Sequence, residues 1–394
     1  MGRVGDHDAT ASRLDDLPPF RVERAWLRLV ELPLVSPFAT SVDTQTVKTA
    51  LLVELEGDGL TGWGECVADP DPSYFGETLV TARHVLTAYL LPGVVGAPPQ
   101  PVAAHLRRTA WVRGHPMAQA ALEMALLDLA GQAARRSLAA ILGGVRDRVA
   151  CGVSVGIQPT IALTLQAVEH YCAEGYQRIK LKCRPGHDLR LVAAVRSRFP
   201  TIPLTVDGNT AYTLADAGTL RRLDRHHLAM IEQPLAHDDL VEHAELQTML
   251  RTPICLDESI VSTGAARAAI ALGAGRMINL KPGRVGGLLS AAAIHDRCRA
   301  AGWPTWVGGM LETGIGRAAN LALAALPNHT LPGDTSASDR YFHEDIVQEP
   351  FRLAPDGTLP VPVHPGLGAV PDPGRLARAT VWWERFGGPA TRRG

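Results

Sequence analysis

The chain has 394 residues, of which 46% are hydrophobic and 20% are charged, and its formal net charge is −1. This length favours two domains or one barrel with attachments, and the composition is ordinary for a soluble globular protein. The near-neutral charge gives no reason to expect nucleic acid or an anionic membrane as a partner. No apolar run approaches the roughly 20 residues of a membrane-spanning helix.

The chain ends and the cysteines carry no sign of export or of a zinc site. The beginning of the chain lacks the apolar stretch of a secretory signal, so residues 1–20 are predicted to form a disordered lead and residues 376–394 a tail. The six cysteines include no C-x-x-C pair, which favours small core residues over disulfides or zinc ligands. These features predict a cytoplasmic protein.

The first folded unit is predicted over residues 21–147. The runs "AWLRLVELPL" and "TALLVELEGDGLTGWGEC" are typical of β-strands, with a Gly-Asp-Gly turn within the second run. Residues 76–147 then have a helical pattern that ends in "AQAALEMALLDLAGQAARR". We therefore predict a small α+β domain at this end of the chain.

Residues 148–330 have a different texture, because short apolar runs alternate there with amphipathic helices. The apolar runs include "RIKLK", "PLTVDGN", "LAMIEQP", "PICLDES", "RMINLKPG" and "PTWVGGM". Strand–helix alternation of this kind indicates a parallel sheet, and seven or eight such units favour a β/α barrel over an open sheet. The second domain is therefore predicted to be a TIM-like barrel.

One charged residue recurs near the end of five successive predicted strands. Lys182, Asp207, Glu232, Asp257 and Lys281 follow one another at intervals of 24 or 25 residues. Equivalent points on barrel strands surround one pocket, and active sites lie at the carboxyl ends of the strands. The alternative, that each carboxylate caps the following helix, is less consistent with three acids in register between two lysines.

The residue types in this pocket predict a metal and two bases. Three neighbouring carboxylates repel one another unless a cation binds them, and oxygen ligands favour Mg²⁺, with Mn²⁺ or another divalent cation as a substitute. Lys180 and Lys182 lie on the same face of their strand, and the Lys180 charge and the metal are expected to lower the pKa of Lys182. With Lys281 on the far side, two bases flank one carbon of a small-molecule carboxylate, as racemisation requires.

At these residues the sequence resembles the enolase superfamily, in particular the N-succinylamino acid racemase/o-succinylbenzoate synthase family of the muconate-lactonising-enzyme subgroup. The resemblance rests on "KLK", "DGN", "EQP", "LDES", "NLKPGRVGG", "GGMLETGIGRAAN" and "GDTSAS" in that order. It implies a modified (β/α)₇β-barrel with an N-terminal α+β capping domain, completed by a C-terminal segment over residues 331–375 that returns to the cap.

The resemblance also implies a role for each site residue. Asp207, Glu232 and Asp257 match the Mg²⁺ ligands, Lys182 and Lys281 the acid/base lysines, and Lys180 the lysine that assists Lys182. Behind them stand Asn209, Glu258 and Arg284, the last matching an arginine of the racemase branch, unless it is a surface residue at a helix start. The cap loops at 37–44 and 69–75 and the segments after the last strands are expected to bind substrate, through Phe38, Ser41, Gly308, Gly309, Met310 and Ile315.

The predicted activity is that of an N-acylamino acid racemase, with o-succinylbenzoate synthase as the alternative and both activities together as a third case. A dipeptide epimerase or a cycloisomerase is less favoured than these activities. A non-catalytic binder is disfavoured, because such a protein would be expected to have lost a metal ligand or a base and none is lost here. The "GIGRAA" stretch fits a dinucleotide motif, but no acidic strand end follows it, so a helix start at the pocket floor, open to an anion, is favoured. A homo-oligomer is expected.

Overall fold

The computed structural model describes residues 13–39 and 44–387 and contains two main sheets and one short ribbon. Within these residues the strands are β1 (Arg24–Ala39), β2 (Thr44–Gly57), β3 (Leu60–Cys66), β4 (Arg148–Ala150), β5 (Gly152–Val155), β6 (Arg178–Lys182), β7 (Leu204–Asp207), β8 (Met230–Glu232), β9 (Ile254–Leu256), β10 (Met277–Leu280), β11 (Thr305–Val307), β12 (Thr358–Pro360) and β13 (Thr380–Phe386).

The capping domain is built on an antiparallel sheet with the strand order β13-β1-β2-β3. Its helices are α1 (Leu79–Val85), α2 (Leu91–Val94), α3 (Val102–Thr109), α4 (Pro116–Ala134) and α5 (Leu138–Leu142). Helix α4 is buried along most of its length because it packs against the sheet on one side and contacts the barrel on the other. Gly62 and Gly64 allow this packing, since a Cβ at either position would collide with the α4 backbone.

The barrel strands β5 to β11 neighbour one another in chain order, and every strand pair is parallel. The helices that follow them are α6 (Ile161–Ala173), α7 (Asp188–Arg198), α8 (Ala217–Leu223), α9 (Leu240–Met249), α10 (Thr263–Leu272), α11 (Leu288–Ala300) and α12 (Gly314–Ala324). The predicted fold class, a parallel barrel sheet with an antiparallel cap, is confirmed.

Residues 329–334 occupy the eighth position of the barrel. This segment forms parallel bridges at both edges of the sheet. His329 pairs with Thr305, the first residue of β11, and Gly333 pairs with Cys151, the residue before β5. The Asp334 amide also donates to the Val307 carbonyl at 3.0 Å. The barrel sheet is therefore closed by a segment that was expected to begin the return to the cap.

The described parts of the chain ends belong to the fold, which corrects the predicted lead and tail. Leu14, Leu17 and Phe20 are buried in the core although residues 1–20 were predicted to be disordered. At the other end, helix α13 (Pro373–Ala379) leads into β13, which pairs with β1 along the edge of the cap sheet. Neither short segment has the hydrophobic pattern of a core element, and each is ordered by the surface that it covers.

Buried carboxylates of the cap accept hydrogen bonds from the starts of two barrel helices. Glu65 on β3 accepts from the Thr313 amide at 3.0 Å and the Gly316 amide at 2.9 Å, at the N-terminus of α12. Glu123 on α4 accepts from the Leu289 amide at 3.0 Å, in the first turn of α11. Free amide groups and the helix dipole favour acceptors at these points. The contacts fix the cap, and hence its loops, over the carboxyl ends of the barrel strands.

All six cysteines are unpaired, and five of them are buried, as the core interpretation predicted. Among the helices of the described residues, none has the length and apolar character needed to cross a membrane.

Candidate active site

The five charged residues at the strand ends meet at one end of the barrel. In the strand register Lys182 lies opposite Asp207, and Asp207 lies opposite Glu232, while Asp257 and Lys281 directly follow β9 and β10. Each residue is buried, with at most 9% of its surface exposed. Counted around the eight barrel positions, Lys182 is on the second and Lys281 on the sixth, so the two lysines stand on opposite sides of the ring with the three acids between them.

Strand β6 directs three cations into the barrel because its side chains alternate between the interior and the surrounding helices. Arg178 at the start of the strand stacks on Trp306 of β11, with its guanidinium carbon 4.5 Å from the ring centroid. Lys180 and Lys182 follow at successive interior positions, and all five residues of the strand are buried. Such a column of charge is tolerated only when partners of opposite sign surround it.

Carboxylates surround Lys180 on three sides. Its Nζ lies 2.5 Å from Asp334 Oδ2, 3.2 Å from Asp207 Oδ2 and 3.2 Å from Glu232 Oε2. Burial alone would lower the pKa of Lys180, but Asp334, Glu232 and Asp207 together raise it well above its ordinary value. Lys180 is therefore held as an ammonium group, paired with carboxylates on three sides.

Lys182 contacts the same Asp207 carboxylate as Lys180. It is also the first member of a chain of hydrogen bonds that continues through Asn209 to Glu258. Its Nζ donates to Asp207 Oδ2 at 2.7 Å and to Asn209 Oδ1 at 2.6 Å. The Asn209 amide in turn donates to Glu258 Oε1 at 2.9 Å. Burial, followed by the Asp257 charge, raises the pKa of Glu258 to about 7. The structure thus brings the predicted Asn209 and Glu258 together behind the lysine.

Lys281 and Arg284 share the opposite carboxylate. Lys281 Nζ lies 2.9 Å from Asp257 Oδ2, and Arg284 Nη1 lies 2.6 Å from Asp257 Oδ1. Arg284 is fully buried, so it is not a surface residue at a helix start. Burial opposes the charge on Lys281, but Asp257, Tyr74 and Glu258 together outweigh burial and raise the pKa of that lysine.

A cavity of about 310 Å³ lies above these groups, and Lys180, Lys182 and Lys281 all line it. Phe38, Gly309 and Met310, which are predicted to bind substrate, line it, and both cap loops contribute further residues. Ser41 lies outside the described residues. The cavity wall also includes Ser154, whose buried Oγ has no hydrogen-bond partner among the described residues.

Gly308 and Ile315 do not line this cavity, which corrects the prediction for both. Gly308 faces the Asn279 side chain, and a Cβ at this position would collide with that amide. Ile315 lies fully buried in the first turn of α12. The amides at this helix start do bind an anion, but it is the protein's own Glu65 carboxylate rather than a ligand.

Sequence reasoning missed two residues of the site that lie outside the barrel repeats. Asp334 contacts Lys180 and also accepts from Arg178 Nη2 at 2.6 Å. Tyr74, in the second cap loop, accepts from Lys281 Nζ at 2.9 Å. The spacing of 24 or 25 residues, continued for two more units beyond Lys281, would have led close to Asp334. Tyr74 lies in the cap loop at 69–75 that the resemblance implied, but its contact with Lys281 depends on domain packing, for which the sequence carries no local signal.

The carboxylates fit a divalent cation by their chemistry, although they are not arranged as a metal site. In residues 13–39 and 44–387, no three His, Cys, Asp or Glu side chains are grouped so that they could hold a metal ion. The carboxylates of Asp207 and Asp257 are paired instead with Lys182, Lys281 and Arg284. Burial, followed by Asp207, nevertheless raises the pKa of Glu232 to about 8, although Lys180 Nζ lies 3.2 Å from its Oε2. A cation bound by these oxygens would relieve this crowding of negative charge.

Charged side chains at the carboxyl ends of barrel strands, beneath a capping domain, define a barrel enzyme that acts on a small molecule. Family models support this assignment over most of the chain. The mandelate racemase/muconate lactonizing enzyme N-terminal domain matches residues 24–143, and the enolase C-terminal domain-like model matches residues 163–375. The chain belongs to the enolase superfamily and is an enzyme of the isomerase and lyase type, as its sequence motifs predicted.

Similar proteins carry two functional names. The chain is 54% identical to an N-succinylamino acid racemase of Amycolatopsis, over 90% of this chain and 97% of that protein. It is 47% identical to an o-succinylbenzoate synthase of Geobacillus kaustophilus, over 94% of this chain and 99% of that protein. A solved enolase-superfamily structure from Listeria innocua superposes with a TM-score of 0.89 at 40% identity, covering 93% of this chain and 99% of the other.

Proposed function

We propose that the protein is a Mg²⁺-dependent N-acylamino acid racemase that prefers N-succinylamino acids. The observation that carries this proposal is the placement of Lys182 and Lys281 on opposite sides of one barrel, both open to the same cavity. Two bases that face one carbon from opposite sides allow a proton to leave on one face and another to arrive on the other. The names of the similar racemases support this choice.

Asp207, Glu232 and Asp257 are the residues that would hold the metal. When bound, Mg²⁺ supplies positive charge that binds the substrate carboxylate and stabilises the enediolate formed on loss of the α-proton. Lys182 takes the α-proton from one enantiomer as a neutral amine and becomes an ammonium group. Lys281, already an ammonium group, gives a proton to the opposite face and becomes neutral. The reverse pair of transfers converts the other enantiomer, so the protons balance over each direction.

The charges of the site favour an anionic substrate. Five buried acids face five buried cations, so their formal charges cancel. These ten residues are Asp207, Glu232, Asp257, Glu258, Asp334, Arg178, Lys180, Lys182, Lys281 and Arg284. Addition of a divalent cation leaves an excess of two positive charges when Lys182 is protonated and of one when Lys182 is the neutral base, and either excess suits an anionic substrate.

The o-succinylbenzoate synthase reaction is the second candidate, and one observation favours it. Asp257 holds Lys281 as an ammonium group, which suits a dehydration in which Lys182 removes the proton and Lys281 remains charged beside the enediolate. Several similar proteins, at 46% to 48% identity, have this name. The two reactions share the metal and the first proton transfer, so one site can perform both.

Proton NMR of the purified protein in D₂O with Mg²⁺ tests the proposal. The substrates are N-succinylphenylalanine of each hand and, separately, the cyclohexadiene precursor of o-succinylbenzoate. We expect the α-proton signal and the optical rotation to be lost from both enantiomers. Dehydration of the precursor without exchange of either amino acid would instead identify a dedicated synthase, and inertness towards all three substrates would contradict both assignments.

A further inference from the structure

Tyr74 brings a capping-domain hydroxyl into contact with the Lys281 base. Its Oη accepts from Lys281 Nζ at 2.9 Å and from Arg284 Nη1 at 3.4 Å. The Lys281 ammonium also lies 5.3 Å from the centroid of the tyrosine ring. Burial, followed by Asp257, raises the pKa of Tyr74, so its hydroxyl remains protonated and neutral. A side chain of the cap thus contacts a base that the barrel provides.

The loop that carries Tyr74 is attached to the capping domain at both ends. At its start, the Asp69 carbonyl accepts from the Leu79 amide at 2.9 Å, and its carboxylate lies 3.8 Å from the buried Lys48. At its end, Glu77 accepts from the amides of Met117 and Ala118 at 2.8 and 2.9 Å, at the start of α4. The loop between these attachments is therefore carried by the cap, while its tip reaches the barrel.

Open space borders Tyr74 on two sides. It lines the 310 Å³ cavity above the lysines and also a second cavity of about 970 Å³, whose wall reaches Asn209 and Glu258. Its hydrogen bonds to Lys281 and Arg284 are therefore among the contacts that hold the ring in place.

The two partners of Lys281 differ in charge, and this difference matters once a metal is bound. Asp257 is both a partner of Lys281 and a proposed metal ligand, so a bound cation competes with the lysine for its oxygens. Tyr74 has no such second role. A neutral hydroxyl can therefore hold the amine in place when the carboxylate is engaged elsewhere.

We propose that Tyr74 is a positioning residue for Lys281, which directs the amine at the α-carbon and so favours racemisation over dehydration. This inference rests on the proposed two-lysine function. Racemisation needs a proton transfer at Lys281, whereas dehydration needs only a charged Lys281 near the intermediate. Loss of the Tyr74 hydroxyl should therefore affect one face of the substrate and leave the other face largely unchanged.

The test compares Tyr74→Phe with wild-type protein, with Tyr89→Phe as a matched control because Tyr89 is 44% exposed on the cap surface. Initial rates of deuterium incorporation are measured separately from each enantiomer of N-succinylphenylalanine in D₂O with Mg²⁺. Lys281→Ala identifies the enantiomer whose exchange depends on Lys281. For that enantiomer we expect Tyr74→Phe to lower exchange by about ten- to a hundredfold, the range for one hydrogen bond to a charged group. Exchange from the other enantiomer, and dehydration, should change by less than about threefold, well below that range.

A spectroscopic measurement separates positioning from a general loss of structure. The chain contains four lysines, Lys48, Lys180, Lys182 and Lys281, so ¹³Cε-lysine labelling gives four resolvable signals. We expect the Lys281 signal, assigned with Lys281→Arg, to move in Tyr74→Phe while the Lys182 signal stays.

Three outcomes would overturn the inference. Equal loss of exchange from both enantiomers would make Tyr74 a binding or structural residue, and unchanged exchange with an unmoved Lys281 signal would leave it without a role at this base. Absence of exchange from either enantiomer with wild-type protein would refute the proposed racemase and this role together, and this outcome is seen before any variant is made.

Discussion

Asparagine in place of Asp334 would remove one negative charge from the most densely charged part of the barrel. The Asp334 carboxylate joins Lys180 at 2.5 Å and Arg178 at 2.6 Å, and only 6% of the residue is exposed. The asparagine carbonyl can accept from one of these cations, but its NH₂ group must then face the other. The substitution therefore leaves a buried cation without its counter-charge, while the side-chain volume is nearly unchanged.

Two arguments give the size of the expected loss. Burial alone would raise the pKa of Asp334, but Lys180 and Arg178 lower it from 3.8 to about 2. This difference corresponds to roughly 2–3 kcal/mol of folding free energy at neutral pH. Removing one partner of a buried ion pair costs about 3–5 kcal/mol in other proteins. We expect the free energy of unfolding to fall by about 2–5 kcal/mol at pH 7.

Urea denaturation of wild-type protein, Asp334→Asn and Asp339→Asn measures this loss against a matched control. Asp339 pairs with Arg352 at 3.1 Å, but both side chains are largely exposed, so its substitution should cost less than about 1 kcal/mol. Because the pKa of Asp334 is lowered in the folded state, its contribution should be present above pH 4 and decline as pH falls towards about 2. Equal small losses for both variants, with no pH dependence, would refute the reasoning.

Three further predictions concern other parts of the site and the cap. Asp257→Asn should abolish Mg²⁺-dependent activity in a metal titration, and full activity without added metal would contradict the ligand assignment. Arg284→Gln should slow racemisation more than dehydration, because the guanidinium lies 2.6 Å from the carboxylate that also holds Lys281; equal loss in the two assays would make Arg284 structural. Burial raises the pKa of Glu123 to about 7, so the free energy of unfolding should fall as pH rises from 4.5 through 7. In denaturation measured across this pH range, Glu123→Gln should remove up to about 3 kcal/mol of the fall in the free energy of unfolding. The same pH dependence in the variant and the wild-type protein would argue against a buried, largely neutral Glu123.

The barrel and its charged end were predictable because they repeat. Each strand has a short apolar run with one charged residue at its end, so a regular spacing in the sequence becomes a ring in space. Lys182, Asp207 and Lys281 could be placed at one site from this spacing alone. The pairing of Lys180 with carboxylates likewise follows from the cost of burying unpaired charge.

Contacts that depend on the packing of distant segments could not be predicted in the same way. Asp334 reaches the site because residues 329–334 close the barrel, and Tyr74 reaches it because a cap loop extends over the strand ends. Strand β13 lies within the predicted tail, and it is fixed by pairing with β1. Each of these segments acquires its place from a partner far away in the chain.

The most direct test of the central claim is deuterium incorporation from single enantiomers by Lys182→Ala and Lys281→Ala, with N-succinylphenylalanine and Mg²⁺ in D₂O. If each lysine serves one face of the α-carbon, neither variant will racemise the substrate, and each will retain exchange from the enantiomer that the remaining lysine serves. Racemisation by either variant, or exchange from the same enantiomer in both, would contradict the two-base account.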